Sequence, residues 1–405
     1  MTIRAPLRKA ALMLPIAIGI IGCVPTGEAT RTTDMPPPAV APQPATSVGD
    51  PLDFRAAAEQ AIERGMRRLL ALQQIDGSWR STKYGAMRGG VGNSALIVFA
   101  LAHVPARNVE ARAAAERGIR FLVSEPADEG FVRGKDGNAD YPTYATALLL
   151  AALPRLGVDL PAGDVARMRN YLRAVQRGPR HGRGPEHPEF GGWNQTGGVE
   201  AELGAWDQSS ISATRAALAG LAAGGALEPP TRTAALAYLK RCQNFDDAGA
   251  SNSGDGGFFF TPDVTDPRNK AGRSSPNHVR SYGSATSDGL CAMIACGVPP
   301  EDPRRRAAVA WLAARFSVDE VPGFTQSVDR KPSSGVYYYY AAGLADALRR
   351  APELDSAGRR ARLAQAIVRR QRADGTWSNR SPLMYEDDPL IATALAITAL
   401  GALCD

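Results

Sequence analysis

A turn made of glycine and an aromatic residue returns six times along this chain. The copies are Asp76-Gly77-Ser78-Trp79, Glu129-Gly130-Phe131, Gly191-Gly192-Trp193, Asp255-Gly256-Gly257-Phe258, Pro322-Gly323-Phe324 and Asp374-Gly375-Thr376-Trp377. Their aromatics stand 52, 62, 65, 66 and 53 residues apart. Each interval has room for two helices of ordinary length and a connection. Within the intervals apolar residues recur at helical spacing, as with Ile62, Met66, Leu69 and Leu70, so each segment offers one face for burial. The second helix of each pair is rich in alanine: Tyr144-Ala145-Thr146-Ala147-Leu148, Ser212-Ala213-Thr214-Arg215-Ala216-Ala217 and Ala392-Thr393-Ala394-Leu395-Ala396. Small side chains let helix axes approach closely, which suits a crowded inner ring, while the charged first helices suit an outer one. The expectation is an all-α fold, an α6/α6 toroid over residues 52–405 with a central cavity.

Two of the turns also carry a family resemblance. Gln73-Gln74-Ile75-Asp76-Gly77-Ser78-Trp79 and Gln371-Arg372-Ala373-Asp374-Gly375-Thr376-Trp377 resemble the glutamine-tryptophan repeats of squalene and oxidosqualene cyclases. The remainder is similar to the wider group of protein prenyltransferase β-subunits and complement-type thioester domains. The resemblance implies that Gln and Trp are structural, the Gln tying down helix ends and the Trp stacking over the neighbouring hairpin. It is specific for fold and weak for activity.

In such toroids chemistry is expected where inner-helix N-termini rim the cavity, because unpaired amides and the positive helix end gather there. The strongest candidate is Tyr385-Glu386-Asp387-Asp388, ahead of Pro389. It is similar to the Asp-x-Asp-Asp of squalene-hopene cyclases, which implies Asp387 as a proton donor supported by Asp388, but Tyr385 replaces the first carboxylate. The bland reading of the same residues is a helix start, with Asp388 as N-cap and Pro389 first in the helix. Asp207, in Trp206-Asp207-Gln208-Ser209-Ser210, is either a further carboxylate facing the cavity or part of a cap. Tyr282, Asp288, Tyr337, Tyr144 and Trp206 are expected to line the cavity, tyrosine faces being suited to a cationic intermediate. Prenyltransferases hold zinc with Asp-x-Cys and a His. Tyr282, Ser284 and the helix from Tyr337 to Tyr340 offer none of these, and Asp288 with Cys291 lacks a third ligand, so no metal and no cofactor is expected. The Asp246-Asp247 to Asp255 stretch does not follow EF-hand spacing and reads as a solvated loop. The chain has no Cys-Gly-Glu-Gln thioester.

The N-terminus sets the expected address. Arg4, Arg8 and Lys9 precede an apolar run from Ala10 to Ile21, too short for the ~20 residues of a spanning helix, and Ile20-Ile21-Gly22-Cys23 is similar to a bacterial lipobox. Residues 1–23 therefore read as a lipoprotein signal peptide, with Cys23 the lipidated residue that anchors the chain in a membrane. Val24 is not the Asp of an inner-membrane retention signal, so the outer membrane facing the periplasm is expected. Residues 24–51, rich in Pro, Thr and Ala, read as a tether. Loss of three cations with the signal takes the formal charge from +6 to about +3, too little to point to nucleic acid. The functional expectation is an envelope protein that binds or transforms a hydrophobic, isoprenoid or lipid ligand in its cavity. The alternatives are a non-catalytic scaffold that binds a protein partner or a glycan, and another enzyme such as a polysaccharide-acting one.

Overall fold

Six glycines, more than six aromatics, are the fixed points of the repeat. In the computed structural model, which describes residues 51–125, 127–133, 140–197, 208–247, 254–324, 330–356 and 358–405, Gly77, Gly130, Gly191, Gly256, Gly323 and Gly375 all have φ between +81° and +102°. Side-chain-bearing residues rarely adopt that backbone. Two residues beyond the glycine, the backbone N–H is held by a hydroxyl of the following inner helix. Trp79 donates to Ser94 Oγ at 2.9 Å, Trp193 to Thr214 Oγ1 at 3.1 Å, Phe258 to Thr286 Oγ1 at 3.0 Å and Trp377 to Thr393 Oγ1 at 3.0 Å. In the second repeat the donor is Val132, to Thr146 Oγ1 at 3.1 Å. Phe131 therefore stands one residue early, and an aliphatic side chain takes the tryptophan's slot.

The glutamines have the structural role that the resemblance implies, and among the described residues there are four of them. Gln73 Nε2 donates to the Gly77 and Ala114 carbonyls, Gln176 to those of Gly191 and Thr231, Gln243 to those of Gly256 and Arg304, and Gln371 to those of Gly375 and Ala61, all at 2.8–3.1 Å. Each ties its own turn to the next outer helix. The Gln371 bond to Ala61 spans 310 residues and closes the ring.

The outer helices are α1 (Pro51–Ala71), α3 (Val109–Leu122), α5 (Ala162–Ala174), α7 (Pro229–Arg241), α9 (Pro303–Ala314) and α12 (Arg359–Arg369). The inner helices are α2 (Val91–Leu101), α4 (Pro142–Leu156), α6 (Ile211–Ala222), α8 (Gly283–Ala295), α11 (Tyr337–Arg350) and α13 (Pro389–Cys404). Inner helices pack in chain order and α13 returns to α2, so the expected α6/α6 toroid is the fold. In α13 every residue from Leu390 to Leu403 is buried, as an element enclosed on all sides must be, while α12 buries only Ala361, Leu363, Ala364, Ala366 and Ile367. The small inner residues are used for close approach: a Cβ on Gly220 of α6 would stand 2.7 Å from the Ala147 carbonyl oxygen of α4. A two-stranded hairpin, β1 (Arg273–Ser275) with β2 (His278–Val279), and the short α10 (Arg330–Gly335) decorate the ring. No described helix is long and apolar enough to cross a membrane.

Candidate active and binding site

Side chains spaced three or four residues apart on the inner helices point at the ring axis. Leu96 and Phe99 do so from α2, Tyr144, Leu148, Ala151 and Arg155 from α4, and Arg215, Ala216, Ala219 and Ala222 from α6. Cys291 and Ala295 of α8, Tyr339, Ala342, Asp346, Arg349 and Arg350 of α11, and Leu395 and Thr398 of α13 complete the wall. They enclose a cavity of about 340 Å³, within the range that small-molecule sites occupy. Tyr144, Ser212 and Tyr339, from the first turns of their helices, form one end. Exposure rises toward the other, C-terminal end, where the Arg155, Arg349 and Arg350 side chains are 29%, 25% and 34% exposed.

The interior carries a connected charge network. Arg215 donates from Nη1 to Asp288 Oδ1 at 3.0 Å and from Nη2 to Asp346 Oδ2 at 3.1 Å, and the Tyr339 hydroxyl donates to Asp288 Oδ2 at 2.8 Å. Arg349 and Arg350 both donate to Asp346 Oδ1, at 2.6 and 2.8 Å. Burial opposes the charge of Asp346, yet Arg350, Arg215 and Arg349 together hold its carboxyl far below the ordinary range. Asp288 is only 1% exposed; burial pushes its carboxyl up from the ordinary value against the pull of Arg215 and Tyr339.

The structure places the sequence candidates unevenly. Tyr144 lines the axial cavity, and Asp288 lies directly behind the wall, reached through Arg215 and Tyr339. Tyr282 is a correction: it is buried against Phe324, with ring centroids 5.5 Å apart, and does not reach the cavity. Tyr337 is another. It faces a separate cleft of about 890 Å³ beside Arg370 and Asn379, and its hydroxyl donates to the Val318 carbonyl at 2.8 Å. Walls from one side of the ring bound that larger cleft, so the axial space, on which all six inner helices converge, is the better-built site. Trp206, Asp207 and Cys23 lie outside the described residues.

The rim carboxylates are engaged in holding the ring together. Asp388 caps α13, accepting from Leu390 N at 3.0 Å, and receives the Ser81 hydroxyl at 2.5 Å. Asp387 contacts Lys83 Nζ and the Tyr84 hydroxyl; burial opposes its charge, but these two donors outweigh it and hold the carboxyl below the ordinary range. A group so held is ionised at neutral pH, the wrong state for a proton donor. Tyr385, in the place of the missing first carboxylate, has φ +57° and packs on Tyr84, ring centroids 4.4 Å apart.

Glu386 is the rim carboxylate that sequence reasoning passed over. It is fully buried and receives the backbone N–H groups of Tyr338 and Tyr339 at 3.0 and 2.8 Å and Asn379 Nδ2 at 2.6 Å, so it caps α11 from another repeat. The signal was the start of α11: Val336 and four tyrosines supply no capping side chain, and a buried helix start needs an acceptor from somewhere.

No family model matches the chain, and no curated protein does. Solved structures do. A variant of type II terpene cyclase MstE from Scytonema, in complex with its product merosterolic acid A, aligns at a TM-score of 0.58 and 15% identity, over 87% of this chain and 99% of that one. This chain shares the α/α toroid of a type II terpene cyclase. A glycosidase variant in complex with glucose has the same kind of toroid, at a TM-score of 0.51 and 16% identity over 87% of this chain and 98% of its own. A protein from Actinoplanes aligns at a TM-score of 0.52 and 18% identity, covering 86% and 100%. At such identities the likeness is one of fold, and two chemistries share it.

Two buried groups make the stability of this toroid depend on pH in opposite senses. Burial lowers His103 from 6.5 to about 4, so the native state binds fewer protons than the unfolded one between those values and gains stability as pH rises. Burial pushes Glu386 up from 4.5 to about 8, so the native state binds more protons between those values and loses stability as pH rises. From about 4.5 to 6.5 the two slopes oppose each other, with the raised Asp288 adding in the sense of Glu386. From 6.5 to 8 only the Glu386 slope remains, up to about 1.4 kcal/mol per pH unit. Thermal unfolding midpoints should therefore fall between pH 6.5 and 8, and Glu386→Gln should reduce the fall. A midpoint that rises between pH 6.5 and 8 would contradict the assignment.

Proposed function

We propose that the protein binds a hydrophobic molecule of the isoprenoid or lipid class in its axial cavity, held at an envelope membrane by a lipid on Cys23. The observation that carries this reading is the wall itself: leucine, phenylalanine and alanine from all six inner helices around about 340 Å³, the mostly apolar concave lining typical of small-molecule sites. The structural likeness to a cyclase solved with geranylgeranyl dihydroxybenzoate as substrate supports a chain-like ligand. Binding without turnover is favoured over alkene protonation, because Asp387 is ionised by its partners, Asp388 is a helix cap and Asp288 lies behind the cavity wall with its two oxygens taken by Arg215 and Tyr339. The outer membrane, periplasmic face, remains the proposed address.

The test is a cavity block. Ala219 stands half-buried on the axial face of α6, so Ala219→Trp projects an indole into the space that the ligand would fill. Calorimetric titration with geraniol is expected to show saturable binding to the wild type and at least tenfold weaker binding to the variant, at a similar unfolding midpoint. A wild type that takes up no geranyl chain at all would sink the reading and leave the scaffold alternative.

A further inference from the structure

The open end of the axial cavity is far more cationic than a hydrophobic ligand requires. Arg155, Arg215, Arg349 and Arg350 line the cavity, and among the described residues Asp346 is the one carboxylate in its wall. Asp346 is shared by three guanidiniums, those of Arg215, Arg349 and Arg350. Arg155 is turned toward Asp405 at 2.5 Å and the Ala102 carbonyl at 3.2 Å. Among the described residues, Arg349 Nε is buried without a hydrogen-bond partner. Basic residues in the last turn of α11 do complement the helix end. That role does not need three cations on one acceptor, nor an orphaned donor in a cavity wall, since an unsatisfied buried N–H is costly.

Resting on the cavity reading above, we propose that the ligand is an anionic amphiphile, its chain directed toward Tyr144 and Tyr339 and its oxyanion head, a carboxylate or phosphate monoester, held by Arg349 and Arg350 at the open end. Planar guanidinium forks match both head groups and make two parallel bonds to either. Asp346 already supplies part of the negative charge that such a head would bring to these guanidiniums. When the head arrives, Arg349 and Arg350 share their donors between it and Asp346, and the local charge approaches balance. The orientation follows from the gradient along the axis: apolar wall, tyrosines and an Arg215 already paired with Asp288 deep inside, Arg349 and Arg350 where exposure begins.

Three ligands with one chain and different heads test this on the full-length protein: geranyl phosphate, geranic acid and geraniol. The wild type is expected to bind at least one of the two anions ten times more tightly than geraniol, and rising salt should weaken the anion and leave geraniol unaffected. Which anion leads identifies the head as phosphate or carboxylate. Arg349→Gln combined with Arg350→Gln should bring the affinity for the anions down to that for geraniol. Equal affinity for all three ligands in the wild type would overturn the anionic head and leave the hydrophobic cavity standing. Binding of none would overturn both. Because the head series is read on the wild type, the result does not depend on the variant folding.

Discussion

Trp377→Ala is expected to destabilise the protein by about 3–5 kcal/mol, the range for removing a buried tryptophan from a core. The side chain is fully buried, its Nε1 donates to the Ile367 carbonyl at 2.8 Å, and its backbone N–H is held by Thr393. Its position adds to the cost. Trp377 lies at the seam where the last repeat meets the first: a Cβ on Gly65 of α1 would come 2.7 Å from its ring, and Gln371, six residues earlier, bonds Ala61 in the same helix. The indole therefore supports both the packing of α13 on α12 and the closure of the ring by α1. Trp79 makes the same pair of bonds within the first repeat, to the Leu69 carbonyl and Ser94, without spanning the seam. Urea unfolding followed by circular dichroism should show both variants losing stability, with the Trp377 variant also showing faster proteolysis of α1. A loss under about 1 kcal/mol at Trp377 would mean that the ring does not depend on its seam.

The ring was legible in the sequence because its repeat is built from local chemistry. A glycine that must adopt a left-handed backbone marks the repeat even where the aromatic shifts, as at Gly130, where Phe131 stands one residue early and Val132 fills the slot. Gln73 and Gln371 were visible because they precede their glycines by four residues. Gln176 and Gln243 do the same work from 15 and 13 residues away, across longer turns, and spacing cannot show that. The site was less legible. Tyr282 and Tyr337 occupy helix starts much as Tyr144 does, but the rotation of each helix about its axis decides which side chain faces inward, and no local motif records that rotation. Arg349 and Arg350 look like ordinary C-terminal charges in the sequence, and Arg215 like a lone cation among alanines. Only the meeting of α6, α8 and α11 places Arg215 between Asp288 and Asp346.

That meeting makes Asp346→Ala the most informative change in the cavity. Removing this carboxylate leaves Arg215, Arg349 and Arg350 facing one another with their shared acceptor gone; because these side chains are 16–34% exposed, the loss is expected to be a fraction of the ~3–5 kcal/mol that breaking a fully buried pair costs. The loss is expected at neutral pH, where Asp346 is fully ionised. Asp346→Asn should lose nearly as much, because the amide keeps the shape without the charge. The useful contrast is rescue. If the three guanidiniums form an anion site that Asp346 partly fills, then millimolar phosphate should restore the variant's unfolding midpoint by occupying the vacated position, with a gain that grows as the logarithm of phosphate concentration above its dissociation constant. The wild type, with the position filled, should gain much less from phosphate. Arg349→Gln placed in the Asp346→Ala background should reduce both the initial loss and the rescue, since fewer cations then need an anion. A variant that is destabilised yet indifferent to phosphate would show that Asp346 holds the arginines for packing alone and that the open end of the cavity has no anion site.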